Sequence, residues 1–416
     1  MPPARRRRDR TRSRLPAVLA LTAFALTLLL PGAAEGRPER SVFRSQPLEW
    51  ESALKKGDRP PALTFTPAWT FNGFHAPLAG NLASAGALLV AASQAGEVVA
   101  LDPASGTVAW HADLGEPLAI GPAAQPGRVY VGTRSGRLTA LDAEQGGRVI
   151  WSVDLGSEPT SPPRPLDGRL LIGASAGVLF SLDAADGSVA ARRALSGRPV
   201  TPPELAGRYV LIGTEGGILM SFDARSLEPR WRRDMRYAIS SAPLVYKKRV
   251  YVGLSDRSVR CLRLKSGRPI WKARTGAVVA AHPFVRAPYL YLLCYDDDIW
   301  VLNARNGHLA IRARLGHRLE AEPALSDHHL FVAPYTEAAL VGLSLPGLQT
   351  VGQFALDVPG EWFTTAPVLA ADRIALGYGR SEGKILALNV AQKQAAPTSG
   401  AAPAGAPLAG PAPTPP

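Results

Sequence analysis

The sequence predicts an all-β fold: an eight-bladed β-propeller with four antiparallel strands per blade, closed by an N-terminal strand that completes the last blade. Three observations predict it. An aspartate closing a short apolar run recurs as Asp102, Asp142, Asp183 and Asp223. The same slot continues as Arg263, Asn303, Ser344 and Asn389, at steps of 40, 41, 40, 40, 40, 41 and 45 residues. A tryptophan slot runs in phase at Trp69, Trp110, Trp151, Trp231 and Trp271, with Ala191, Ile311 and a residue near Val351 in its other positions. Glycine and proline supply 40 and 38 of the 416 residues, which favours many turns over long helices. A unit of about 40 residues has the size of one propeller blade, and each copy needs its neighbours to bury its faces.

Each unit then resolves into four strands in order. The first follows a recurring proline, at Pro163, Pro203, Pro243, Pro283, Pro323 and Pro367. The second is an apolar run of the type VYVGTR, LLIGAS, VLIGTE, VYVGLS and LYLLCY. The third is the run that ends on the aspartate slot, and the fourth carries the tryptophan. All are short, apolar or β-branched, and bounded by Gly, Asp or Ser, which is how strands read. The aspartate and the glycine four residues on fit a tight connection. The carboxylate accepts backbone N–H bonds, and glycine supplies a positive φ. After Asn389 no fourth strand remains, while Trp69 stands one period ahead of Trp110. Residues near 65–71 are therefore expected to supply the missing strand, which joins the two ends of the ring and removes an open edge.

The segments outside the ring read differently. Residues 1–34 open on MPPARRRRDRTRSR, with seven Arg and one Asp, close to half of the formal net charge of +13. An apolar run from Leu15 to Leu30 and the small residues of PGAAEG follow, the three parts of a secretory signal peptide. The run falls short of the roughly 20 residues of a spanning helix; an uncleaved anchor is the alternative. No cysteine lies near the cleavage region, so a lipoprotein is not expected. Residues 35–62 read as an irregular N-terminal segment, residues 63–390 as the propeller, and residues 391–416 as a disordered Ala/Pro-rich tail.

Composition narrows function. The basic residues look scattered along the sequence, with no basic stripe interleaved with aromatics, so nucleic acid is not an expected partner. Peripheral contact with membrane headgroups or cell-wall polymer stays open. Two cysteines, Cys261 and Cys294, make neither a disulfide framework nor a zinc site; they read as small core residues, with one bridge as the alternative. GTRSGR and GASAGV recur as hairpin turns with no helix behind them, so they are not phosphate loops. Asp296, Asp297 and Asp298 lack calcium-loop spacing and read as a solvated turn. His328 and His329 read as an exposed turn without a third metal ligand.

The unit A-L-D-x-x-x-G-x-x-x-W, as in ALDPASGTVAW and nearly in ALDAEQGGRVIW, resembles the PQQ-like propeller repeat over roughly residues 65–390. That family includes quinoprotein dehydrogenases and BamB-type outer-membrane protein assembly factors. The resemblance implies that Trp110, Trp151, Trp231 and Trp271 dock between neighbouring blades against the turns that Asp102, Asp142, Asp183 and Asp223 begin. It also implies less regular packing where the motif fails, at Ala191, Ile311, Val351, Leu227, Arg263 and Ser344. The enzyme branch needs adjacent cysteines and an acidic calcium site; here the cysteines stand 33 residues apart. Neither PQQ nor Ca²⁺ is expected, and no catalytic residues are assigned.

The best local candidate for a ligand site is the residue before the repeated proline, because first strands line a propeller's channel. It reads Pro162, Pro202, Ala242, His282, Glu322 and Ala366, so His282 and Glu322 are neighbours at the funnel rim. A solvated ion pair is the plain alternative. The sequence thus points to an exported, non-catalytic, monomeric scaffold of the periplasm or cell envelope, with an envelope protein or client polypeptide as partner. A quinoprotein-like enzyme or a small-ligand binder using the funnel is the alternative.

Overall fold

A computed structural model describes residues 60–392 except 280, 317, 320 and 335–337. The expected signal peptide, most of the irregular N-terminal segment and the Ala/Pro-rich tail beyond Gln392 lie outside the described residues; Ala391 and Gln392, expected in that tail, are paired in a strand with Thr64 and Leu63. The described residues form an eight-bladed β-propeller of eight four-stranded antiparallel sheets. We label the strands of each blade a to d from the channel outward.

Blade 1 comprises Ala83–Ala85, Leu88–Ala92, Glu97–Leu101 and Val108–Asp113, and blade 2 Leu118–Gln125, Arg128–Thr133, Arg137–Asp142 and Val149–Asp154. Blade 3 comprises Arg164–Leu166, Arg169–Ala174, Val178–Asp183 and Val189–Ala194, and blade 4 Glu204–Ala206, Tyr209–Gly213, Ile218–Asp223 and Pro229–Asp234. Blade 5 comprises Leu244–Tyr246, Arg249–Leu254, Ser258–Arg263 and Pro269–Arg274, and blade 6 Phe284–Arg286, Tyr289–Leu293, Asp298–Asn303 and Leu309–Arg314. Blade 7 comprises Ala324–Leu325, His329–Val332, Ala339–Ser344 and Thr350–Ala355.

Blade 8 takes strands a to c from Val368–Ala370, Arg373–Tyr378 and Lys384–Gln392, and its outermost strand is Leu63–Phe71 from the other end of the chain. That strand runs antiparallel to its neighbour from Leu63 opposite Gln392 to Phe71 opposite Ile385, with a bulge between Pro67 and Trp69. The expected closing strand is present, and it leaves the ring without an open blade.

The burial pattern explains the sequence pattern. Strands b and c lie between neighbouring blades, so both of their faces are covered. Arg128–Thr133 and Ala339–Ser344 are buried at every position after the first, and such strands read as unbroken apolar runs. Strand d is the outer edge and alternates instead: in Val149–Asp154 only Trp151 is buried. The core is accordingly a ring of inter-blade clusters. Tyr130, Leu138 and Trp151 of blade 2, for example, pack against Leu170, Ile172 and Phe180 of blade 3.

Candidate functional site

Three sets of residues must be told apart: those that lock blade to blade, those that line the channel, and those on the outer edges. The locking set uses the repeat residues. Asp142 Oδ1 accepts the N–H groups of Glu144 and Gln145 at 3.0 and 2.9 Å, and Asp102 does the same for Ala104 and Ser105. Asp183 takes Ala185 N–H at 2.7 Å, and Asp223 takes those of Arg225 and Ser226. Each carboxylate therefore organises its own turn. Backbone and neighbouring amides hold Asp102 below the usual carboxylate range, and Arg230 with the turn amides holds Asp223 lower still.

The turn glycine then meets the tryptophan of the preceding blade. A methyl on Gly147 would sit 2.4 Å from Trp110 Cε3, and Gly106, Gly187, Gly267 and Gly307 stand in the same relation to Trp69, Trp151, Trp231 and Trp271. In ALDAEQGGRVIW it is thus Gly147, at φ 72°, that fills the repeat position, and Gly146 is the inserted residue. The indole N–H groups donate to the same turn: Trp110 to Ala143 O at 2.9 Å, Trp151 to Ala184 O at 3.1 Å and Trp231 to Leu264 O at 2.7 Å. Trp271 differs. The equivalent carbonyl, Ala304 O, accepts Tyr251 O–H at 2.9 Å and Arg249 at 3.3 Å instead, and Trp271 Nε1 has no partner among the described residues.

The motif departures do not loosen the packing. Where the tryptophan slot holds Ala191, the next turn's glycine slot holds Leu227, fully buried at φ 54°. Where it holds Ile311, the next slot holds Leu348, buried at φ 56°. Both leucines sit in core clusters with their partners. At the first boundary the large–small pair is reversed, at the second it becomes two residues of middle size, and at both the inter-blade volume stays filled.

One further lock between blades, and one brace within a blade, carried no signal in single slots. Arg128, Arg169 and Arg373 each donate to a carbonyl in the next blade's turn, at Ala184, Arg225 and Pro103. Thr201, Ser241 and Thr365 accept the N–H of Gly213, Gly253 and Gly377 at 2.7–2.9 Å. Aligning the registers for Arg at the start of strand b, or Ser/Thr two residues before the proline, would have found them.

The channel holds the sequence candidates. His282 lies half-buried before strand a of blade 6, and Glu322 is exposed before strand a of blade 7. Among the described residues no hydrogen bond or ion pair joins them, so they do not form the solvated pair considered above. Burial, with the charge of Arg164 added, pushes the His282 imidazole down to about 4. Arg164 also opposes the effect of burial on Glu204, whose carboxyl nevertheless stands above its ordinary range. These two residues open strand a of blades 3 and 4. The channel therefore carries an Arg, a Glu and a neutral His where the sequence singled out His282 and Glu322 alone.

The acidic run of blade 6 is not a solvated turn. Asp298 is fully buried and bonded to Arg312 Nε, with Arg314 Nε at 3.8 Å. Asp296 accepts Trp300 Nε1–H at 3.1 Å, and burial raises its carboxyl above the ordinary range. Arg312 lies 4.8 Å over the Trp300 ring, which closes an ion-pair and cation–π cluster. Among the described residues no group of three or more His, Cys, Asp or Glu side chains is placed to hold a metal ion. His329 is partly buried and tilted against Phe331 at 6.0 Å. Cys261 and Cys294 are free and buried, and burial pushes the Cys261 thiol to about 11. Two unlinked thiols in the wall between blades do not fit a ring over a quinone.

The outer edges differ from blade to blade. Strands d of blades 3 to 6, VAARRA, PRWRRD, PIWKAR and LAIRAR, each carry two or more Arg or Lys. Strands d of blades 1 and 2, VAWHAD and VIWSVD, carry none. Val108 and Val149 there are 51% and 50% exposed. The blade 8 edge carries Pro67 and the bulge, and its strand approaches strand d of blade 7, where a methyl on Gly352 would meet Leu63 O at 2.6 Å.

With this geometry in place, comparison with known proteins decides the family. The PQQ_2 family, described as outer membrane protein assembly factor BamB, matches residues 50–146, 94–191 and 135–287, which together exceed half of the chain. The chain belongs to this family. The crystal structure of BamB from Moraxella catarrhalis is similar at 19% identity with a TM-score of 0.64, covering 78% of this chain and 100% of that one. The computationally designed Ika8 protein matches at 14% identity with a TM-score of 0.64, covering 77% of this chain and 98% of the other. At these identities the two structures share the fold. No curated protein matches the sequence.

Proposed function

We propose that this BamB-family propeller is a non-catalytic, exported scaffold of the cell envelope that contributes to outer-membrane protein assembly. It engages a partner or client polypeptide by strand addition at the outer edges of blades 1 and 2. The observation that carries this is the uneven guarding of the edges. An open strand presents unpaired N–H and C=O groups, and Lys or Arg on it deters pairing. Four successive blades are guarded in that way, and the edges with Val108 and Val149 are not. An extended client can pair its backbone there and lay alternate side chains on the exposed valines. On this reading the chain is a periplasmic monomer, tethered by no lipid of its own, with neither PQQ nor Ca²⁺ bound.

The test uses the full chain and a urea-unfolded outer-membrane β-barrel polypeptide diluted into buffer. Binding should weaken at least tenfold in Val108→Lys/Val149→Lys, since each of the two open edges then carries a lysine. Unchanged binding, or no binding by the parent chain, removes the proposal. A second reading, a small polar ligand in the funnel, is favoured by the desolvated His282 and Glu204 beside Arg164. It would place His282 and Glu322 at the ligand. Dye-coupled oxidation of alcohols or sugars after adding quinone and calcium would support its enzymatic form, and a flat response would remove that form.

A further inference from the structure

A cluster of cations with no carboxylate lining it lies away from both sites, between blades 4 and 5. A concavity of about 580 Å³ opens there. Five cations line it: Lys247 and Lys248 from the a–b turn, Arg249 from the start of strand b, and Arg263 and Lys265 from the c–d turn. Tyr209, Leu264 and Ile270 form its apolar wall, and no carboxylate lines it. Among the described residues, no ion pair engages any of these cations. Arg249 is committed to the carbonyls of Ala304 and Arg305, and Lys247 lies over the Tyr246 ring at 5.3 Å. Asp223, which pairs with Tyr209 across the blade 4 ladder, is already held by Arg208 and Arg230.

The sequence accepts local costs to build this. Arg263 stands in the slot where four blades carry the turn aspartate, and a guanidinium cannot accept the amide bonds that Asp102 or Asp142 accept. Lys247 and Lys248 sit at φ 46° and 63°, in the region that side chains other than Gly, Asn and Asp rarely visit. They also set two like charges side by side. Three departures from local rules converge on one concavity, with the Lys247–Tyr246 contact as their one local compensation, and together they mark a functional site rather than a turn.

The geometry points to a binding site for a phosphate-rich anion in this concavity. Arg263 offers a planar fork for phosphate oxygens, the three lysines add point charges, and Tyr209 and Ile270 accept the apolar part of an ester. The site is independent of the strand-addition edge, which lies on blades 1 and 2.

Sodium tripolyphosphate titrated calorimetrically into the full chain at low salt is the first probe. Vesicles of phosphatidylglycerol, against vesicles of phosphatidylcholine, are the second. Tripolyphosphate binding assigns the site to a soluble phosphate ligand, and binding confined to phosphatidylglycerol vesicles assigns it to an anionic headgroup. In either arm Lys248→Gly/Arg263→Asp should lose at least tenfold in affinity. Its melting temperature should be unchanged or higher, because glycine and aspartate satisfy the two turns. Arg192→Asp/Arg274→Ser removes the same charge from exposed outer strands and should lose less than threefold. Absence of binding to both probes overturns the site, and so does an equal loss in the two variants, which would mean diffuse charge.

Discussion

The exchange of Trp–Gly for Ala–Leu between blades 3 and 4 gives a test of how this ring holds together. Leu227 is fully buried and Ala191 faces it in the same cluster. Leu227→Gly alone removes a buried isobutyl group and leaves a cavity, a change that costs roughly 2–5 kcal/mol. Relief of the left-handed backbone at φ 54° returns about 1 kcal/mol, so a net loss near 3 kcal/mol is expected. Ala191→Trp alone drives an indole into Leu227, and overpacking of this kind costs about 2 kcal/mol.

The double variant rebuilds the Trp151–Gly187 contact one blade later. Its indole N–H meets Ala224 O, which occupies the position of Ala143, Ala184 and Leu264 beneath Trp110, Trp151 and Trp231. The double variant should therefore lie within about 1 kcal/mol of the parent, and the coupling energy should be about 4 kcal/mol, above the usual range for contacting pairs. Urea unfolding of the four proteins, followed by far-UV circular dichroism, measures it. A double variant whose loss equals the sum of the single losses would refute the reasoning, because Ala191 and Leu227 would then be independent departures rather than one compensated contact.

Two further outcomes are expected. Arg312→Ala leaves Asp298 buried with only Arg314 nearby at 3.8 Å, and loss of one partner from a buried pair costs 3–5 kcal/mol. Because Arg312 is itself 45% exposed, about 2 kcal/mol is expected, read from the urea midpoint; a change below about 0.5 kcal/mol would mean that water already solvates the carboxylate. His282 is held neutral in the fold, at about 4 against an ordinary 6.5. As pH falls from 6.5 towards 4 the unfolded chain takes up the proton first, so stability is lost across that window and none is lost above it, up to about 3 kcal/mol. His282→Gln should flatten that part of the pH profile relative to the parent, and superimposable profiles would count against a desolvated imidazole.

The fold was legible because every blade solves the same packing problem. A buried strand pair between neighbours demands unbroken apolar runs, and an outer strand that faces a turn glycine demands one inward tryptophan. Four registers in phase, from Trp69 to Asn389, are therefore one physical constraint written eight times. The same argument failed where a register was broken. Ala191 and Leu227 looked like two defects because each slot was read alone, and only the contact across the blade boundary shows that volume was conserved. The channel was legible at one residue per blade. His282 and Glu322 stood out before the proline, but the pleat returns the same face two residues later, which is where Arg164 and Glu204 lie.

The charge around blade 5 was invisible for a different reason. Lys247, Lys248, Arg263 and Lys265 look scattered along the chain, since the 14 residues from Arg249 to Leu262, in two strands and the turn between them, separate the first pair from Arg263. The a–b and c–d turns emerge at the same end of every blade, so the fold brings both to one rim. In blades 2 and 3 that rim mixes Asp142 with Arg148 and Asp183 with Arg169, and the signs largely cancel. Blade 5 alone has lost its turn aspartate to a basic residue, and it gained its lysines at the opposing turn. A sum of charge along the sequence averages this away; a sum taken turn by turn, in repeat register, isolates it.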